Sequence, residues 1–349
     1  MSATYADRLS DYPNKGVCGL AEKFDTRRAL ECKINKLAQL VRQSRHTVVL
    51  TGAGISTAAG IPDFRGPKGI WTLEEQAKKK EKKASKRRKL YGRTDADSNA
   101  ATGGGTTGKP NFSFIDAKPT YTHRALAHLV SHTPPGEEED GRRFLHYVIT
   151  QNVDGLHRKT PDLPRSSLSI LHGCVLTEKC EVCSREYIRD FEVDSIAEQP
   201  TGRYCTLGGT PPGTCGGLLR DTLLDWEGAL PEKDWIRAQE ECARAELIIA
   251  LGTSLRIEPC NHLSMYATRG YEEDTVIDRP ERDTRVDGAA SGGRIPRRKQ
   301  QLGCVIVNLQ QTLFDQSAEL VINGRVDDVM RGLMERLGYG VDSWDTASA

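Results

Sequence analysis

The chain has 349 residues and an almost balanced charge, with 49 Lys and Arg against 48 Asp and Glu. A net charge of +1 excludes a basic nucleic-acid coat or an acidic solvating tail as a description of the whole molecule. The length suits two domains, or one large α/β domain with an inserted module. Hydrophobic residues make up 37% and charged residues 28%, which indicates that disordered insertions dilute a globular core.

The excess of positive charge is concentrated in one segment. Residues 78–93 contain ten basic residues and a single acid, Glu81, so this segment carries +9 and the remainder −8. Because it has no apolar periodicity, we assign residues 77–110 to a mobile loop, and residues 270–301 for the same reason. The basic run is typical of a nuclear-localisation or phosphate-binding segment, and a solvated loop is the alternative.

The chain shows no basic segment followed by an apolar stretch at its start, and no run of the ~18 apolar residues that a membrane span needs. We therefore expect a soluble intracellular protein with no membrane partner. The ten cysteines are then expected to be reduced thiols and metal ligands rather than disulfides.

The apolar pattern predicts an α/β fold. Residues 1–26 are mixed polar and predict an extended arm, and residues 27–43 have apolar side chains at helical spacing. Buried parallel strands are predicted by four short apolar runs, which are 46–50, 144–150, 246–251 and 304–308. With the helical stretches between them, they predict a doubly wound, Rossmann-like parallel sheet with its functional residues at the carboxyl ends of the strands.

A glycine turn follows the first of these strands. Gly52, Ala53 and Gly54 let a backbone approach a dinucleotide phosphate closely, although a simple tight turn would use the same residues. Thr57 stands where the dehydrogenase pattern needs its third glycine, and no ribose-binding acid follows about 20 residues later. An ordinary Rossmann dehydrogenase is therefore disfavoured.

Four cysteines have the spacing of a metal site. Cys180 and Cys183 are separated by two residues, and Cys205 and Cys215 by nine. Four thiolates suit a tetrahedral Zn²⁺ with no open position for water, so we expect a structural zinc in a small module over residues 174–220.

Several motifs resemble the sirtuin family of NAD-dependent protein deacylases. They are GAGIST (52–57), GIPDFRG (60–66), TQNVDGLH (150–157), LHG (171–173), GTS (252–254) and VNL (307–309). The likeness runs in order from about residue 27 to 338, which implies one catalytic domain and a tail at 339–349. GPxGxWT (66–72), RDTxLDWE (220–227) and VNLQ (307–310) are similar to the nuclear, chromatin-associated class IV branch, closest to the mammalian sirtuin six type.

The resemblance implies a catalytic role for His172. From the sequence alone, a histidine after a leucine is more often structural than catalytic, although its ordinary pKa suits a general base. In the family, the acyl-lysine carbonyl oxygen attacks the nicotinamide ribose of NAD⁺ and nicotinamide leaves. His172 then deprotonates a ribose hydroxyl, and the products are free lysine and O-acyl-ADP-ribose. Asn152 and Asp154 are the other implied catalytic residues.

The resemblance also implies a set of binding residues. For NAD⁺ they are Gly52, Ala53, Gly54, Thr57, Asp63, Phe64, Arg65, Trp71, Gln151, Asn152, Asp154, His172, Gly252, Thr253, Ser254, Asn308, Leu309, Gln310 and Val326. For the acyl-lysine substrate they are Trp226 and Ile257. Simpler interpretations of the same residues are an Asx turn for Asn152 and Asp154, a solvated ion pair for Asp63 and Arg65, and a buried loop tryptophan for Trp71.

Three hypotheses follow for the function. The first is a nuclear deacylase, acting as a deacetylase and a long-chain fatty deacylase on acyl-lysine in histone tails. The second is a mono-ADP-ribosyltransferase that uses the same site. The third is a chromatin-binding module with vestigial activity, against which the intact catalytic residues argue. In each case, the basic segment 78–93 is a candidate contact for nucleosomal DNA.

Overall fold

The computed structural model describes residues 15–91, 112–135, 142–206, 215–226, 228–269 and 301–340. Predictions for the start of the arm (1–14), for 92–110 and 270–300 in the two insertions, and for the end of the tail (341–349) lie outside the described residues. Among the described residues, no helix combines the length and hydropathy needed to cross a bilayer.

Six helices and ten strands make up the described fold. The helices are α1 (Arg27–Gln43), α2 (Ile70–Tyr91), α3 (Tyr121–Ser131), α4 (Leu156–Lys159), α5 (Glu232–Arg244) and α6 (Val326–Arg336). The strands are β1 (Thr47–Thr51), β2 (Tyr147–Thr150), β3 (Leu168–Ile170), β4 (Thr177–Cys180), β5 (Glu186–Ile188), β6 (Pro200–Tyr204), β7 (Leu218–Asp221), β8 (Leu247–Leu251), β9 (Gly303–Val307) and β10 (Leu320–Ile322).

The larger sheet is parallel throughout and has the strand order β10-β9-β8-β1-β2-β3. Alternate residues of β1 point to opposite faces, with Val49 in one core and Val48 and Leu50 in the other. Helices α1, α3 and α6 cover the first face, and α5 covers the second. The strand order reverses between β1 and β8, where a doubly wound sheet opens a crevice for ligands.

The smaller sheet is antiparallel and has the order β5-β4-β7-β6. Among the described residues of this module, the buried hydrophobic cluster contains only Cys180, Cys205 and Leu219, with Tyr187 and Cys215 packed against it. Such a small cluster buries little apolar surface, so a further cross-link is needed to stabilise this module.

The predicted doubly wound sheet is confirmed, and helix α1 has the predicted bounds. The predicted mobile loop at 77–110 is wrong for residues 77–91, which are helical in α2. Residues 70–91 contain no glycine or proline and are rich in Lys, Glu, Ala and Arg, so their intrinsic propensity favours a helix without a buried face. All side chains from residue 76 to 86 are exposed.

Candidate functional site

Two glycine loops meet at the reversal point of the sheet. Gly52 and Gly54 follow β1, and Gly252, with φ +60°, follows β8. The amide of Gly54 donates to the carbonyl of Gly252 at 2.8 Å, and a Cβ on Gly54 would lie 2.8 Å from the Gly252 Cα. The glycines are therefore required for the packing of the two loops as well as for access to the crevice.

A cavity in this crevice brings together most of the predicted site residues. They are Gly52, Ala53, Gly54, Asp63, Phe64, Arg65, Trp71, Gln151, Asn152, Asp154, His172, Trp226, Gly252, Thr253, Ser254, Ile257, Asn308 and Gln310. The sequence did not indicate several further lining residues, which are Ser56, Ile61, Pro62, Gly66, Ile70, Phe112, Phe114 and Val153. Of these, Ser56 lies inside the first glycine motif, so that motif could have indicated it as a site residue.

Three predicted residues do not line this cavity. Thr57 is exposed and its hydroxyl donates to the Gly54 carbonyl at 3.0 Å. Leu309 accepts a backbone hydrogen bond from Lys23 at 2.7 Å. Val326 is the first residue of α6 and packs into the core beneath the sheet. Thr57 and Leu309 are next in sequence to lining residues, whereas Val326 is part of the core.

Asn152 and Asp154 belong to one buried hydrogen-bond network. The Asn152 amide donates to the Gly52 carbonyl at 3.1 Å and to the Ser56 hydroxyl at 3.2 Å. Ser56 in turn donates to Asp154 at 2.6 Å, and the other oxygen of Asp154 accepts from the Leu156 amide at 2.8 Å. Burial raises the pKa of Asp154, although these hydrogen bonds oppose the rise. The network ties the loop after β2 to the glycine loop after β1.

His172 follows β3 and faces the cavity with a defined tautomer. Its Nδ1 lies 3.0 Å from the Gln151 carbonyl, which only accepts, so Nδ1 carries the proton and Nε2 is the basic nitrogen. The Cys260 sulfur lies 3.7 Å from Nε2. Burial lowers the pKa of His172 to about 4, against a raising effect of the Gln151 hydrogen bond. The imidazole is therefore neutral at pH 7 and able to accept a proton.

The segment after the glycine loop forms an aromatic flap. Trp71 is buried at the start of α2, with its ring centroid 4.9 Å from that of Phe64 and 5.2 Å from that of Trp226. The Arg65 guanidinium lies 4.5 Å from the centroid of the Trp71 ring. Asp63 accepts from the Gly66 amide at 2.8 Å, and burial raises the pKa of this carboxyl.

The end of the N-terminal arm packs against this flap. Arg65 donates to the Lys15 carbonyl at 2.8 Å, and the Gly19 amide donates to the Arg65 carbonyl at 2.9 Å. The Gln310 amide donates to the carbonyls of Leu20 and Arg65, at 2.6 and 3.2 Å. From residue 15 onward, the predicted extended arm therefore holds the flap from outside the cavity.

The four predicted cysteines form one cluster in the smaller sheet, with all ligand atoms within 4.8 Å of one another. The sulfur atoms of Cys180 and Cys215, and those of Cys183 and Cys205, are 3.6 Å apart. Sulfurs bound tetrahedrally to zinc at about 2.3 Å lie about 3.8 Å from each other, so the donor set fits this metal. A Cβ on Gly217 would lie 2.7 Å from the Cys180 sulfur, so a glycine is needed beside the cluster.

Comparison with known proteins identifies the family of this chain. A sequence profile of the Sir2 family matches residues 52–259, which include both glycine loops and His172. The chain belongs to the Sir2 family. The predicted resemblance to sirtuins is therefore confirmed.

Named relatives extend over nearly the whole chain. The NAD-dependent protein deacetylase SRT1 of Arabidopsis thaliana is 40% identical over 98% of this chain and 57% of its own length. The Drosophila melanogaster deacetylase Sirt6 is 36% identical over 100% of this chain and 89% of its own. Human sirtuin-7 is 32% identical over 93% of this chain and 64% of its own length. The chain thus spans little more than half of the plant relative.

Solved structures share the fold of this chain. A Sir2 protein with a deacetylated p53 peptide and 3'-O-acetyl ADP ribose is 26% identical, with a TM-score of 0.50 over 87% of this chain and 98% of the other. A Sir2 homologue with ADP ribose has a TM-score of 0.51 at 23% identity, over 88% of this chain and 98% of the other. This likeness shows the shared fold. The Rossmann-like fold of the family is therefore that of this chain.

Proposed function

We propose that this Sir2-family chain is an NAD⁺-dependent protein-lysine deacylase. The observation that carries the proposal is the placement of His172, with a neutral Nε2, in the same cavity as the glycine crevice of a dinucleotide-binding sheet. The relatives named as deacetylases support it, and so does the peptide complex of the Sir2 protein described above.

The described residues fit NAD⁺. The glycine loops leave backbone surface without Cβ atoms at the crevice, where a pyrophosphate binds in folds of this type. The Gln151 side chain lines the cavity, and its buried Nε2 has no oxygen or nitrogen acceptor among the described residues, only an interaction with the Cys260 thiol, so donor capacity is left for a ligand. When bound, NAD⁺ supplies an electrophilic ribose carbon and nicotinamide as the leaving group.

The side chains then have separate tasks. Phe64 and Trp71 exclude water from the reacting face, and Arg65 holds the flap against the arm. Asn152 and Asp154, fixed by Ser56, orient the ribose and the carboxamide. His172 takes a proton from a ribose hydroxyl at Nε2, while its Nδ1 proton stays bonded to the Gln151 carbonyl. Trp226 and Ile257 contact the acyl-lysine, and the other cavity residues predicted from the sequence bind the cofactor.

We further propose that the acyl groups include long chains and that the targets are histone tails. The apolar side of the cavity supports long acyl groups, because Phe112, Phe114 and Val153 add wall area beyond Trp226 and Ile257. The charge of −8 outside the basic run favours lysine-rich peptides.

Mass spectrometry of the products tests these assignments. Wild-type protein with NAD⁺ and acetylated or myristoylated histone peptides is expected to remove the acyl mass and to form O-acyl-ADP-ribose. A gain of the ADP-ribose mass on the protein substrate, without acyl loss, would favour mono-ADP-ribosyl transfer instead. No change on any peptide or nucleosome would favour a binding module with vestigial activity.

The lysine-rich half of α2 is proposed to contact nucleosomal DNA. Lysines 78, 79, 82, 83 and 86 fall on one side of the helix at 100° per residue, and all are exposed. Such a stripe binds phosphates in a salt-dependent and sequence-independent way. The same basic run supports a nuclear location, which imaging of a fluorescent fusion with and without residues 78–93 would test.

Matched lysine substitutions test the DNA contact. Replacement of Lys79, Lys82 and Lys86 by glutamine is expected to weaken nucleosome binding and to flatten its salt dependence, by about 0.9 in the log–log slope for each phosphate that is no longer neutralised. The control replaces three exposed lysines elsewhere, Lys23, Lys36 and Lys118. Equal effects of the two triple variants would contradict a role for α2.

A further inference from the structure

One wall of the cavity is formed by a turn that has little structure of its own. Phe112 and Phe114 line the cavity, with ring centroids 5.0 Å apart in an edge-to-face arrangement. Phe114 is 4% exposed and belongs to the cluster of Ile61 and Val153. The turn at 113–117 has two internal hydrogen bonds, from the amides of residues 116 and 117 to Ser113, both 3.2 Å long.

Lys159 fixes this turn from the opposite side. It is the last residue of α4, and its Nζ lies 2.7 Å from the Phe114 carbonyl, 2.6 Å from that of Ile115 and 3.2 Å from that of Ala117. An ammonium group has three protons, and here each has one carbonyl of the same turn as its acceptor. The whole donor capacity of the side chain is therefore used on the turn.

The lysine also links the turn to the catalytic loop. Helix α4 begins at Leu156, two residues after Asp154, and the Leu156 amide donates to the Asp154 carboxylate at 2.8 Å. The Asp154 and Asp116 carboxylates attract Lys159 without forming a salt bridge among the described residues, and the carbonyls of the turn are its hydrogen-bond acceptors. A neutral side chain here would leave three carbonyls without this partner.

Building on the proposed function, we propose that Lys159 is a positioning residue that fixes the aromatic wall and thereby sets the room available to the acyl group. A small acetyl group depends on a wall that is held in place, because it makes few apolar contacts of its own. A long acyl chain fills the space and holds Phe112 and Phe114 through its own contacts. Loss of the clamp should therefore penalise acetyl-lysine more than long-chain acyl-lysine.

The test compares Lys159→Met with Lys159→Arg and with a matched control, Lys118→Met, an exposed lysine that follows the same turn. The methionine variant at 159 is expected to lose about tenfold in kcat/KM on an acetyl-lysine peptide and less than about threefold on a myristoyl-lysine peptide. Lys159→Arg keeps several donors, so it should restore most of the wild-type ratio of acetyl-lysine to myristoyl-lysine activity. Lys118→Met should behave as wild type.

A second measurement separates positioning from general stability. Backbone amides 116 and 117 are expected to exchange hydrogen faster in Lys159→Met while the strands of the larger sheet keep their protection. Lys159→Gln serves if the methionine variant does not fold. Equal losses on both peptides, or unchanged selectivity with unchanged exchange, would overturn the inference. A wild type that turns over neither peptide would instead contradict the proposed deacylase function.

Discussion

At the residue scale, the chemistry of the site depends on which ring nitrogen of His172 carries no proton. The Gln151 carbonyl holds the proton on Nδ1, so Nε2 is the proton acceptor. Burial disfavours the imidazolium, which keeps this nitrogen available across the physiological pH range. A histidine that follows a strand in sequence shows neither of these properties, since both come from distant segments.

This environment predicts the acid side of the pH profile. The neutral imidazole is the active form, so activity is present above the pKa and is lost as pH falls through it. We expect the acid limb of kcat/KM for deacylation to lie nearer to the lowered value of about 4 than to the ordinary 6.5. Steady-state rates across pH, with circular dichroism to confirm folding at each point, measure it. A half-loss of activity near pH 6.5 would contradict the expectation.

A methyl group at Gly54 should damage the crevice. Gly54→Ala places a Cβ 2.8 Å from the Gly252 backbone, which cannot yield as a flexible side chain can. We expect a loss of about 1–3 kcal/mol of stability together with weaker NAD⁺ binding. Gly60→Ala is the control, because its Cβ meets nothing within 4 Å although its φ is +82°. Calorimetry should show weaker NAD⁺ binding for Gly54→Ala alone, and equal NAD⁺ affinities would refute the packing argument.

At the element scale, the sequence predicts those strands that form a continuous apolar run. Strands β1, β8 and β9 lie within one residue of their predicted bounds because they are buried on both faces. Strands β3 and β10 have only three residues each, too few to give a pattern. The four strands of the smaller sheet are not apolar runs, since this sheet packs around the cysteine cluster rather than around a large apolar core.

The same reasoning explains which site residues were missed. The glycine loops and Asn152 follow predicted strands, so their positions at one sheet edge could be anticipated. His172 follows β3, which the apolar pattern does not predict, and its role was implied only by the family motif. Phe112 and Phe114 lie outside any helix or strand, and only the tertiary fold brings them to the cavity. Lys159 ends the four-residue helix α4, which is too short to give a pattern, and its contact with the Phe114 carbonyl is likewise tertiary. Helix α2 was missed because we required an apolar face, whereas its residue propensities suffice.

The smaller sheet should depend on its metal. We expect one zinc per chain, and Cys180→Ser should lower the zinc content and loosen β4–β7 while the larger sheet stays folded. Cys32→Ser is the matched control, because Cys32 is exposed on α1, away from the cluster. Metal analysis by mass spectrometry and amide exchange measure these effects. Full zinc content in Cys180→Ser, or no zinc in the wild type, would contradict a four-thiolate site.

At the scale of the whole molecule, the net charge of +1 is the sum of two opposite regions. The +9 segment begins in an exposed helix that starts at the cavity with Trp71, and the remainder carries −8. The proposed polyanion contact and the proposed attraction for basic peptides thus belong to different parts of one molecule.

Buried histidines should make stability depend on pH. Burial lowers the pKa of His157 to about 3 and that of His128, His146 and His172 to about 4. The unfolded chain binds protons at these sites below about pH 6.5 and the folded chain does not, so the free energy of unfolding falls as the pH falls. From pH 7 to 5 we expect about 2 kcal/mol of loss from His157, which is buried, and less from each of the three partly buried histidines, partly offset by Asp154, whose pKa is raised. Urea titrations at the two pH values measure it, and equal or greater stability at pH 5 would refute it.

The central claim is that His172 acts in a cavity that binds NAD⁺ and acyl-lysine together. Its most direct test measures nicotinamide and deacylated peptide in the same reaction, for wild type and His172→Tyr, with an acetylated histone peptide. The wild type should form the two products in equal amounts and only when NAD⁺ and peptide are both present, and the variant should form almost none of the deacylated peptide. If the wild type formed no more nicotinamide and deacylated peptide than the variant on any acylated substrate, the assignment of this cavity as a deacylase site would be contradicted.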